Sequence, residues 1–182
     1  MTLRSTPQDK IRNQIIGLAG PKGVGKSHVA SQLKNSLNAT ILSYADPIRD
    51  ALSAIGVRFD VDKEAEQKPF GKSARFMAQT FGTEWGRETV SKSIWLDVMR
   101  MRIDETDGVV IIDDVRFDNE ASQIDGLGGV VIELHGDTCY EWVDHHSSEA
   151  GVCYDLVDRY VYNSRINPTL ALETILSFLP TK

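Results

Sequence analysis

In the stretch GPKGVGKS, residues 20–27, the positions Gly20, Gly25, Lys26 and Ser27 match the spacing G-x-x-x-x-G-K-[ST] in full. Glycines at such positions let the backbone curl until successive N–H groups point inward at phosphate oxygens, and a helix starting just after them adds its positive dipole end. A lysine at this place reaches the β- and γ-phosphates of a nucleoside triphosphate, and the hydroxyl after it ligates Mg²⁺. Asp113 and Asp114 close the apolar run VVIIDD, where an acidic residue orients the Mg²⁺ shell, and Asp114 is assigned that duty. These groups specify a donor, a Mg²⁺-bound nucleoside triphosphate. They leave the destination of its phosphate open.

A second set of cations lies in the middle of the chain. In KSARFMAQTFGTEWGRE, Arg75 and Gln79 stand four apart and so share a helix face, where one can grip a phosphate and the other read a base edge. Arg87 follows the turn FGTEWG, and Arg116 stands two residues past Asp114. Arginine suits this work because its planar fork holds phosphate bidentately and keeps its charge. Trp85 and Trp95, with Phe76 and Phe81, are candidates for the flat walls of a nucleobase site, against the plainer reading of core packing.

The elements that must position these groups alternate along the chain. IIGLA, TILSYA, VVIIDD, GGVVIEL and a weaker LVDRYVYN read as strands; KSHVASQLKNSL reads as a helix burying Val29, Ala30, Leu33 and Leu37. DPIRDALSAIG predicts a helix with Asp46 at its N-cap, Pro47 in its first turn and Gly56 at its end, and NPTLALETILSFL a closing amphipathic helix. Residues 57–107 turn helical and charged. Strands alternating with helices imply an α/β fold of three layers. About five parallel strands are covered on both faces, and ligands bind outside their carboxyl ends.

At 182 residues the chain suits a single domain. Its net charge of −6 argues against a broad nucleic-acid footprint, and no apolar run reaches the roughly 18 residues of a membrane span. The polar start MTLRSTPQDKIRNQ lacks a secretory core, so the expected location is cytoplasmic. Cys139 and Cys153, with His145 and His146 between them, fit no standard zinc spacing and read as reduced bystanders.

Taken together, GLAGPKGVGKS, SYADPIRD, ARFMAQTFGTEWGRE, IIDDVRFDNEA and HSSE resemble the deoxynucleoside monophosphate kinases of tailed bacteriophages, from about Ile15 to the last helix. The resemblance implies a P-loop kinase core over 13–56 and 107–182, a monophosphate-binding helical insertion over about 57–106, a lid over about 136–152, and often a homodimer. It implies phosphoryl transfer from ATP, with Mg²⁺, to a deoxynucleoside monophosphate in nucleotide biosynthesis for viral DNA replication. The ATP phosphates fall to Gly20, Lys22, Gly23, Val24, Gly25, Lys26, Ser27 and His28. The monophosphate side falls to Arg75, Gln79, Arg87 and Trp95, with Glu120 as an orienting partner for an arginine. Asp114 and Arg116 lie beside the reacting phosphates. Asp46 occupies a position from which related kinases touch the acceptor or the Mg²⁺ shell, although a helix N-cap explains it equally well. Where a lid arginine is expected after the fourth strand, this chain has His135, and Lys92 and Arg159 are the named substitutes. A kinase of another small metabolite and a non-catalytic nucleotide sensor are the alternatives.

Overall fold

The computed structural model describes residues 14–136 and 151–179. Its centre is a five-stranded, all-parallel sheet of β1 (Ile15–Ala19), β2 (Thr40–Leu42), β5 (Val110–Ile112), β6 (Val130–Gly136) and β7 (Arg159–Asn163), in the spatial order β2-β5-β1-β6-β7. The central strands β1 and β5 are continuously apolar because both their faces are buried, whereas the edge strand β7 buries only Val161. In β1, Ile15 and Ala19 face one core, while Ile16 and Leu18 face the other. The second core is filled by α1 (Lys26–Leu37), through Val29, Ala30 and Leu33, and by α6 (Leu170–Phe178), through Ala171 and Ile175. The first receives α2 (Asp46–Ala54), α4 (Ile94–Asp104) and α5 (Asp118–Gly126), whose buried side chains include Ile48, Met99 and Ile124.

The register brings the functional loops together. Gly17 and Leu42 both stand level with Ile112, so the chain leaves β1, β2 and β5 at the same carboxyl edge of the sheet. β1 is central, with its neighbours reached by crossovers to opposite sides, and this edge is therefore the topological switch point where open α/β sheets bind ligands.

Residues 57–106 are less uniformly helical than expected. They contain a short antiparallel hairpin, β3 (Glu66–Gln67) with β4 (Lys72–Ser73), before α3 (Ala74–Thr80) begins. Two-residue strands of polar side chains carry no alternation from which to read them. Ser73 caps α3, its hydroxyl accepting from Phe76 N at 3.2 Å. The helix then widens into a π-helix, Phe81–Val90. Asp46 is a correction: Ala45 is the residue that caps α2, and the Asp46 carboxylate, inside the first turn, binds arginines instead.

Candidate active site

Two cavities open at the carboxyl edge of the sheet. The larger, about 920 Å³, is bounded by the loop between β1 and α1. Here Gly25 is the residue before the helix, with φ at +96°, a conformation that costs a side-chain-bearing residue strain. Lys26 follows, and its Nζ donates to Gly20 O at 2.5 Å and Pro21 O at 3.0 Å. Lys22 and His28 also line this cavity, Lys22 pairing with Glu64 at 3.4 Å, whereas Val24 is buried beneath the loop.

The two aspartates after β5 part company. Ser27 Oγ donates to Asp113 Oδ2 at 3.4 Å. Asp114 turns the other way, and its oxygens accept from Ser43 Oγ at 2.5 Å, Tyr44 N at 2.8 Å and Ala45 N at 3.0 Å. Asp114, the residue expected to orient a metal, is hydrogen-bonded through both oxygens and also lines both cavities. Three donors occupy it, and it ties down the loop from β2 into α2. Asp113 stands beside the hydroxyl. Burial first, and the Asp114 charge second, raise the Asp113 carboxyl above its ordinary value, with Arg49 and the Ser27 hydroxyl opposing. A hydroxyl and a carboxylate are hard oxygen donors, the set that suits Mg²⁺ carrying several of its own waters.

The smaller cavity, about 180 Å³, lies between α2, α3, the π-helix and the start of α5. Gln79, Thr83 and Arg87 line it from successive turns. The side chains of Gln79 and Thr83 have no hydrogen-bond partner among the described residues, so their polar groups remain available to a ligand. The Arg87 guanidinium lies 4.0 Å over the Phe117 ring, and its Nη2 donates to Glu120 Oε1 at 2.6 Å. Glu120 is only 1% exposed, and its other oxygen accepts from Arg116 N at 2.8 Å and Phe117 N at 3.2 Å. Burial and the nearby Asp114 charge push the Glu120 carboxyl up to about 7, against the pull of these donors. Burial likewise lowers Arg87, while Glu120 raises it back. Tyr44, also in this wall, is pushed up by burial, Glu120 and Asp114, and its hydroxyl donates to Gln123 Oε1 at 2.9 Å.

Arg49, Lys63, Arg75, Arg116 and Asp114 line both cavities, so the partition between them is four cations and one carboxylate. Asp46 stands behind this wall, with Oδ1 3.1 Å from Arg49 Nη1 and Oδ2 3.6 Å from Arg102 Nη1. It lines neither cavity, and it holds Arg49 in place. Arg75 is 3.6 Å from Glu64.

The structure separates the remaining expected residues. Trp95 is corrected from a nucleobase wall to a core residue: it is buried, donates from Nε1 to Gly82 O at 2.7 Å, and packs so closely on Gly86 that a Cβ there would lie 2.7 Å from the ring. Trp85 stacks on Phe81 at 4.4 Å, outside the cavities, and the aromatic residues lining the smaller one are Tyr44, Phe59 and Phe117. His135 lines the larger cavity beside Glu133, 3.7 Å away; Lys92 and Arg159 line neither. Most of the expected lid, with Cys139, His145 and His146, lies outside the described residues. Sequence reasoning missed Arg49, Lys63, Thr83, Phe59 and Phe117. Only Arg49 had a legible signal, standing three residues after Asp46 on one helix face.

Comparison with solved structures places the fold among kinases. The shikimate kinase of Aquifex aeolicus superposes with a TM-score of 0.54 at 17% identity, covering 90% of this chain and 95% of that one. The Thermus thermophilus protein TT1252 gives 0.55 at 14% identity, over 93% and 100%. At such identities the likeness is one of fold alone. In sequence, a provisional deoxynucleotide monophosphate kinase of Acanthamoeba polyphaga mimivirus is 32% identical over 140 residues, 66% of this chain and 72% of that protein. The model of the deoxynucleotide monophosphate kinase family matches residues 57–171, which include the cationic partition's Lys63, Arg75 and Arg116 and the Arg87–Glu120 pair. The chain belongs to the deoxynucleotide monophosphate kinase family.

Proposed function

We propose that this protein transfers the γ-phosphoryl group of ATP to a deoxynucleoside monophosphate, yielding ADP and the deoxynucleoside diphosphate, as a step in supplying DNA precursors. The observation that carries the proposal is the partition: two cavities share Arg49, Lys63, Arg75 and Arg116. A site that only hydrolysed or sensed a triphosphate has no use for a second chamber behind a cationic wall. Transfer between two phosphates requires one, because negative charge arrives from both sides and spreads over the migrating group.

On this reading the loop 20–27 holds the ATP phosphates, with Lys26 exchanging its carbonyl partners for β- and γ-oxygens. Ser27 and Asp113 hold Mg²⁺, which when bound neutralises phosphate charge. Arg87, fixed by Glu120 and stacked on Phe117, grips the monophosphate, and Gln79 and Thr83 read the base between Phe59 and Phe117. An acceptor phosphate oxygen forms the new P–O bond as the bond to the ADP oxygen breaks. The acceptor is already anionic near neutral pH, so no side chain need remove a proton. Lys63 and Arg49 supply the cations over the migrating group that an arginine in place of His135 would supply.

A coupled assay of ADP release across deoxynucleoside monophosphates and small hydroxyl-bearing metabolites tests the proposal. Turnover should depend on a monophosphate acceptor. A preference for the metabolites, or ATP turnover indifferent to any acceptor, would overturn it.

A further inference from the structure

At the far edge of the sheet from the acceptor cavity, β7 ends on Asn163, level with Gly136 at the end of β6. The Asn163 carboxamide Nδ2 donates to Val24 O at 2.7 Å, joining the last strand to the phosphate loop across 139 residues. The contact is tight on every side. A Cβ on Gly25 would come within 2.5 Å of that same Nδ2, and one on Gly136 within 3.3 Å of both Asn163 O and Val24 Cγ2.

The bond has a directional consequence. The Val24–Gly25 peptide is trans, and in a trans unit the C=O and the N–H point to opposite sides. With the Val24 carbonyl turned towards β7, the Gly25 N–H is turned away from it. Gly25 lines the larger cavity, whereas neither Val24 nor Asn163 does. Gly25 N takes no partner among the described residues, and it directly precedes α1, where the first N–H groups of a helix lack partners of their own.

We propose that Asn163 is a positioning residue for the phosphate loop: its carboxamide fixes the Val24–Gly25 peptide so that the Gly25 N–H faces an ATP phosphate. The proposal rests on the reading of this loop as the ATP site. It also gives Gly25 a second reason to be glycine, since a side chain there would displace the group that orients it.

Asn163→Asp keeps the shape and replaces the donor with a carboxylate that repels the Val24 carbonyl; Asn163→Leu keeps the approximate size and removes polarity altogether. Calorimetric titration with Mg²⁺-ADP reads the loop without reference to chemistry or acceptor. Both variants should bind about tenfold or more weakly, the effect of one lost hydrogen bond. The KM for the monophosphate, measured at saturating ATP, should stay within about twofold, and circular dichroism should show the wild-type fold. Wild-type affinity for ADP in either folded variant would overturn the proposal, as would a matching rise in both constants with a fall in Tm, which marks a structural role. If the aspartate variant does not fold, the leucine variant carries the same two outcomes. A wild-type protein that binds no ADP would overturn the ATP-site reading itself, and this proposal with it.

Discussion

Asp113 and Asp114 are adjacent acids at the end of one strand, and the structure gives them opposite employment. Asp113 faces Ser27, and Asp114 accepts three hydrogen bonds from the loop that opens α2. Asp113→Asn should therefore lower kcat by about a hundredfold or more, the scale of losing one charged transition-state contact, with little change in Tm. Asp114→Asn leaves buried donors without acceptors, at about 2 kcal/mol, which lowers Tm by about 4–8 °C in a domain of this size. Parallel melting and activity measurements check both, and the reverse pattern would restore Asp114 to the metal. Glu120 offers a pH test. Its carboxyl is pushed up to about 7 in the folded protein from an ordinary value of 4.5. The stability this contributes is complete below about pH 4.5 and is lost as pH rises through 7. Glu120→Gln does not titrate, so the Tm advantage of the wild type over this variant should shrink as pH rises through that window. A pH-independent difference would remove Glu120 as a titrating group. Neither the parting of the aspartates nor the burial of Glu120 could be read from VVIIDD or DVRFDNE, because alternation after a strand's end depends on where the next loop goes.

The π-helix is the element on which the smaller cavity depends. It presents Thr83 and Arg87 in succession to Gln79, and its Gly86 allows Trp95 to pack against the backbone. Gly86→Ala should collide with that ring, cost about 1–3 kcal/mol, and raise the KM for the monophosphate well above any change in the KM for ATP. Steady-state kinetics with each substrate varied in turn checks this, and equal changes would detach the π-helix from the acceptor. From the motif GTEWGRE, Arg87 was expected on the acceptor side, and it lines the smaller cavity. Trp95 was not, since an aromatic residue reads alike whether it walls a ligand or fills a core. What decided it was a glycine in a neighbouring helix, a contact that no periodicity encodes. The central strands, α1 and α6 were legible because apolar runs and helical spacing leave little choice, whereas β7, with one buried residue, gave a weaker signal. The hairpin of β3 and β4 was hidden by its brevity.

Across the whole molecule, a net charge of −6 coexists with a partition of four cations at the carboxyl edge of the sheet. Attraction for anions is thus local, and at physiological ionic strength screening confines it to about 8 Å. The topology makes this possible, since β1, β2 and β5 release their loops at one edge, where Lys63 and Arg75 also line both cavities. Arg49 and Lys63 come from separate segments, which is why the chain order alone did not show that they meet. A single molecule carrying adenosine and a deoxynucleoside joined through a polyphosphate should span both cavities and bind about a hundredfold or more tightly than ATP, as expected when two sites are engaged by one ligand. Affinity no better than that of ATP in a competition titration would mean that the cavities do not work together. The central claim is that a phosphoryl group crosses this partition to a second phosphate. ATP labelled at its γ-phosphate, incubated with the protein, Mg²⁺ and a deoxynucleoside monophosphate, tests it most directly. The label should appear in the deoxynucleoside diphosphate and should fail to do so with Lys26→Ala. Label released only as inorganic phosphate would contradict the account.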